Sequence, residues 1–108
     1  MSKIFAISST GKSEKAFLDL RFGKCENIAI YDRSKKRIRM IENPFKNTDH
    51  SGVQLLSMLK KEGVSTIITG EIGPLVSNLL EKENIQLVLL HEEKIKLEEI
   101  IERIKNQG

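Results

Sequence analysis

The sequence predicts a single α/β domain on a mixed five-stranded sheet, its elements in the order βββαβαβα. Three observations carry that prediction. Short apolar runs bounded by turn residues, such as IFAI at 4–7, VSTIIT at 64–69 and IQLVLL at 85–90, have strand length rather than helix length. Two extended-favouring segments flank the polar DRSKK at 32–36 as the arms of a hairpin. Apolar residues at helical spacing recur only in the stretches that separate or follow the later strands.

Lys3 to Ser8 forms the first strand, its apolar run ended by a Ser/Thr/Gly turn. Ser9 to Glu26 contains Ala16, Phe17, Leu18 and Leu20, but Gly11 and Gly23 bracket it too closely for a helix, and a structured loop is predicted. Asn27–Asp32 and Arg37–Glu42 are the antiparallel second and third strands. Pro44 and Gly52 then break the pattern, and a helix begins at about Ser51, with Val53, Leu56 and Leu59 on one face and Gly63 as its stop. Residues 64–69 are the fourth strand, rich in β-branched side chains. Pro74 suits the first turn of a second helix, whose apolar face is Leu75, Val76, Leu79 and Leu80. Residues 85–90 make the fifth strand. After His91, Leu97, Ile100, Ile101 and Ile104 mark a third helix.

Helical crossovers join parallel strands, so strands three, four and five run the same way, and the hairpin sends strand two the other way. With strand one parallel to strand four, the loop before Cys25, the loop carrying Asp49 and His50, the turn Gly70–Pro74 and His91 all emerge along one rim. Open α/β sheets bind their ligands at such a rim.

Composition narrows the function classes. With 39% hydrophobic and 31% charged residues across 108 positions, the chain reads as one globular domain. No apolar run approaches the roughly 20 residues that span a bilayer, and the N-terminal MSKIFAISSTG is interrupted by Ser8, Ser9 and Thr10 before a leader core is complete. One cysteine makes no internal disulfide and suits a reducing compartment, so a cytoplasmic location is expected. The formal charge of +3 admits acidic partners, but the basic residues concentrate in RSKKRIR at 33–39 and among glutamates elsewhere. One tyrosine, four phenylalanines and no tryptophan give little material for stacking bases, which argues against nucleic acid.

The candidate groups each have two readings. Cys25 is a soft metal or cluster ligand whose thiolate Arg21 and Lys24 would favour, or a small half-buried residue at a strand mouth. His50 is a metal ligand or an ordinary residue at a helix start, and His91 a ligand or a strand-end residue bonded to backbone. TGEIGP at 69–74 presents amide groups to an anion, or is a tight strand-to-helix turn. A Cys25/His50 nucleophile pair has no sequence signature here, and CxxC, HExxH and P-loop patterns are missing from the chain.

Taken in order, RFGKC at 21–25, the hairpin IAIYDRSKKRIRMIENP at 28–44, HSG at 50–52 and TGEIGP at 69–74 resemble the dinitrogenase iron-molybdenum cofactor biosynthesis family, the NifX-like proteins. The resemblance spans nearly the whole chain, 1–108. It implies a ribonuclease H-like sheet and a non-enzymatic role in binding or carrying an iron-sulfur or iron-molybdenum-sulfur cluster. By the same resemblance Phe22, Gly23, Lys24, Gly70 and Gly73 are cofactor-binding positions, and Cys25 and His50 are metal ligands. Glu71 stands where the family often has glycine, and HEEKI at 91–95 replaces a glycine-containing loop. Nucleases of the ribonuclease H-like fold resemble one another in a carboxylate on the first strand, and KIFAIS has none.

Stable iron-sulfur sites take several cysteines, and one cysteine suits an exchangeable cluster, or one shared across a homodimer, passed between donor and acceptor proteins. The alternative is a regulatory or interaction module that binds an anionic small molecule or a protein at the same rim without metal.

Overall fold

A computed structural model describes residues 3–92 and 94–107. The strands are β1 (Ile4–Ser9), β2 (Asn27–Asp32), β3 (Arg37–Glu42), β4 (Thr66–Thr69) and β5 (Gln86–Leu89); the helices are α1 (Ser51–Lys61), α2 (Pro74–Lys82) and α3 (Leu97–Lys105). They follow the βββαβαβα order of the sequence reading.

The strands lie in the order β3-β2-β1-β4-β5. β2 is antiparallel to both β1 and β3, and β4 is parallel to both β1 and β5. All strands but β2 therefore end on one rim: the helical crossovers require this of β3, β4 and β5, and the parallel pairing with β4 adds β1.

Burial follows position in the sheet. β1 and β2, flanked on both sides, are buried almost throughout, whereas the edge strands β3 and β5 alternate or lie half open. Alternation along β1 sends Ala6 to one face and Phe5 and Ile7 to the other. On the first face α1 and α2 bring Leu55, Leu56, Leu59, Val76 and Leu80 onto Ile28, Ile30 and Ile67. On the second, α3 brings Ile100, Ile101 and Ile104 onto Phe5, Ala29 and Ile68.

Local chemistry sets the boundaries. Asp32 Oδ1 accepts from the amide and hydroxyl of Ser34 (3.0 and 2.8 Å) and from the Lys35 amide (3.2 Å), which closes the hairpin turn. Gly63, at φ +79°, ends α1 in the left-handed conformation that glycine tolerates best. α3 begins only at Leu97. Before it, Lys96 bridges Phe17, and Leu18 donates to the Ile95 carbonyl at 2.9 Å. The 9–26 loop is thus structured by backbone pairing to the chain just ahead of α3 and to the end of β1, where Leu18 bridges Ser9.

Candidate anion-binding cleft

RFGK at 21–24 crosses the rim directly above the start of α1. A Cβ placed on Gly23 would lie 2.6 Å from the Gly52 amide nitrogen and 2.7 Å from Ser51 Oγ, so only glycine lets the two segments touch. Gly52 in turn faces Val76 of α2, whose Cγ2 would be 2.9 Å from an added Cβ. Two helix starts and one loop are drawn together by these contacts.

Between them opens a cleft of about 500 Å³, lined by Arg21, Phe22, Gly23, Lys24, Ser51, Gly52, Glu71, Ile72, Gly73 and Val76. Phe22 is 3% exposed and packs into the core under α1 and α2, so it forms the apolar floor. Arg21 and Lys24 are exposed at the mouth. The first N–H groups of any helix have no intrahelical partner and carry partial positive charge. α1 and α2 leave theirs without a side-chain cap, and neither has an acidic residue in its first turn. α3 differs: Glu98 and Glu99 lie in its first turn, and Glu99 Oε2 accepts from the Lys96 amide at 2.9 Å. The two helix starts that reach the cleft therefore keep their electropositive ends open, while the one that does not is neutralised.

Of the sequence-predicted positions, Phe22, Gly23, Lys24 and Gly73 line this cleft. Gly70 is buried behind it, and a Cβ there would sit 2.5 Å from Leu20 Cδ2, so its smallness holds the β4–α2 turn against the 18–21 segment. A Cβ on Gly73 would meet nothing within 4 Å, and its φ of −72° is open to any residue. Packing does not require that glycine, which borders the open space of the cleft at the α2 start.

Cys25 is 0% exposed, below the cleft floor in the core shared with Phe22, Leu55 and Val76. Its thiol is pushed up to about 12, first by burial and then by the Asp19 carboxylate, against hydrogen bonds from the Ser9 backbone and the Asn43 side chain. The expectation that Arg21 and Lys24 would favour the thiolate is corrected here: both are exposed above the floor, and desolvation together with Asp19 decides the sign. His50 is the exposed N-cap of α1 and His91 is exposed after β5; neither lines the cleft.

Asn43 and Asp19 were not singled out in the sequence. Asn43, 2% exposed, donates through Nδ2 to the carbonyls of Gly23 (3.0 Å) and Cys25 (2.9 Å) and accepts from the Phe45 amide (3.0 Å). It fixes the RFGKC loop to the segment leading into α1. Asp19, 6% exposed, accepts from the Arg21 amide at 3.0 Å and lies 3.5 Å from Arg21 Nε. Arg21 was legible as a cation near Cys25 but not as a cleft-lining residue, and Ser51 only as a helix start.

The donor set does not fit a cluster anchored by several protein ligands. The chain has one cysteine, and among the described residues no group of three or more His, Cys, Asp or Glu is arranged to hold a metal ion. The geometry fits an anion received by amide groups and cations.

These features define a mixed α/β domain with a cleft at its sheet rim, bordered by two uncapped helix starts and two cations. The chain belongs to the dinitrogenase iron-molybdenum cofactor family, whose pattern it matches over residues 1–107. That family is tied to the biosynthesis and binding of the cofactor it is named for. Among solved structures the chain is similar to the apo form of the orange protein from Desulfovibrio gigas, with a TM-score of 0.86 and 20% identity over 96% of this chain and 88% of that one. It is also similar to a proposed NifB protein from Thermotoga, with a TM-score of 0.82 and 22% identity over 99% of this chain and 90% of that one. These two likenesses concern the fold. No curated protein matches the chain.

Proposed function

We propose that this protein binds and carries an iron-sulfur or iron-molybdenum-sulfur cluster, or a precursor of one, in the rim cleft, without catalysing a reaction on it. One observation carries the reading: two uncapped, acid-free helix starts and two cations converge on a single cleft with an apolar floor. The cargo is held as an anion whose own sulfides complete the coordination of its metals. Arg21 and Lys24 supply charge, the amide groups at Gly52 and Gly73 supply directed donors, and Phe22 gives a surface for polarizable sulfide. Gly23 and Gly70 hold the walls in place.

An open cleft with no protein-metal bond suits exchange, so the cluster passes between donor and acceptor proteins, and the cytoplasm is the compartment in which this takes place. A homodimer is not needed to complete the site. Ligation by Cys25, with His50, requires the Phe22 floor to open. Among the described residues no helix is long and apolar enough to cross a membrane.

Anaerobic reconstitution with iron, sulfide and molybdate, followed by desalting and absorption spectroscopy, tests this reading. Wild type and Cys25→Ser retain the chromophore, and the Arg21→Gln/Lys24→Gln double variant loses most of it. Loss of the chromophore in Cys25→Ser alone would show a covalent ligand and overturn the anion reading. No chromophore in wild type would leave the cleft to an anionic small molecule or a protein.

A further inference from the structure

We propose that Glu71 is a charge gate for this cleft: it competes with the cargo for the α2 start and for Arg21, and so lowers affinity for compact anions. The inference rests on the anion-binding reading of the cleft and adds a selectivity to it.

Glu71 lies two residues before the α2 N-cap, Gly73, and its exposed side chain belongs to the cleft lining. Its backbone is locked. The Glu71 amide donates to the Leu20 carbonyl at 2.6 Å, residues 21 and 71 form a parallel bridge, and Gly70 is wedged against Leu20. The bridge sets residues 21 and 71 on adjacent backbone segments, and both belong to the cleft lining.

Among the described residues no ion pair involves Glu71. Arg21 lies instead against Asp19, which is nearly buried. Glu71 is thus the one carboxylate in a lining otherwise composed of cations, apolar groups and helix starts. Without cargo, a carboxylate near an uncapped helix start is favourable. With cargo, the same charge faces an anion at short range. A small, highly charged oxyanion suffers that repulsion in full, whereas a larger sulfide cluster spreads its charge and suffers less. The gate therefore selects against the simple inorganic anions that would otherwise fill an exposed basic cleft.

Calorimetric titration with sodium molybdate tests this, on wild type, Glu71→Gln and Glu102→Gln, the last removing one exposed acid from α3 as a control for net charge. Glu71→Gln is expected to bind molybdate about three- to tenfold more tightly than wild type at about 50 mM salt, the gain shrinking to less than about twofold near 500 mM. Glu102→Gln matches wild type. Equal affinities in all three proteins would overturn the gate while leaving the anion cleft standing. Weaker binding by Glu71→Gln would overturn it too, by making Glu71 a contributor to binding. If no variant takes up molybdate, the gate fails; cluster uptake in the reconstitution experiment is then judged on its own result.

Discussion

Gly23 and Gly52 meet so closely that a Cβ on Gly23 would lie 2.6 Å from the Gly52 amide nitrogen. This contact joins the RFGK loop to the first turn of α1 and sets the width of the cleft. Gly23→Ala is therefore expected to lower stability by about 1–3 kcal/mol, because the clash is with backbone that cannot rotate away. Gly73→Ala meets open space, and should keep its stability within about 0.5 kcal/mol while weakening cargo uptake. Urea denaturation midpoints check the first statement; cluster retention after desalting checks the second.

Asn43 ties together three backbone groups by side-chain hydrogen bonds, at Gly23, Cys25 and Phe45. Asn43→Leu leaves those groups without these partners in a buried setting and is expected to cost about 2–4 kcal/mol. Asn43→Asp fares no better, since a carboxylate cannot donate to the two carbonyls. Calorimetric unfolding of both variants measures the loss. A midpoint unchanged from wild type would show that the loop is held by other contacts.

The Cys25 thiol, raised from 9.0 to about 12, holds its proton more tightly in the folded chain than in the unfolded one. Its contribution to stability is thus complete below about pH 9 and is lost as pH rises towards 12. Stability should fall across that window more steeply in wild type than in Cys25→Ser. At pH 9 the native protein should react with iodoacetamide at least about tenfold more slowly than the urea-unfolded chain, because the thiolate is both scarce and enclosed. Equal alkylation rates would place the sulfur in open solvent.

Most of the fold was legible because its signals are local. Asp32 and Lys36 mark a hairpin turn, Gly63 a helix end and Pro74 a helix start, and each effect acts within a few residues. The crossover rule sent β3, β4 and β5 to a common rim without any knowledge of strand order, and the separate expectation that β1 runs parallel to β4 added β1 to it. The start of α3 was less legible, because Lys96 and Ile95 are held by Phe17 and Leu18, which lie far away in sequence.

The site was legible in part. Phe22, Gly23, Lys24 and Gly73 were identifiable from RFGKC and TGEIGP, and all four line the cleft. The depth of Cys25 was not readable, since it depends on α1 and α2 closing over a side chain that precedes β2. Asn43 and Asp19 act through backbone groups and through Arg21, and neither sits in a recognisable pattern. The contrast between open and neutralised helix starts is visible in sequence as the missing acids after His50 and Gly73 and the paired glutamates after Lys96, but only the fold shows which starts share a cleft.

The central claim is that cargo is received by the amide groups of two helix starts beside Arg21 and Lys24. Amide proton–nitrogen correlation spectra, recorded while a preformed molybdenum-iron-sulfide cluster is added anaerobically to the labelled protein, test it most directly. The largest shifts or broadening are expected on Gly23, Lys24, Ser51, Gly52 and Gly73, and these changes are expected to be lost in Arg21→Gln/Lys24→Gln. Changes confined to the 33–39 hairpin or to the region of His91, with the cleft amides unmoved, would contradict it.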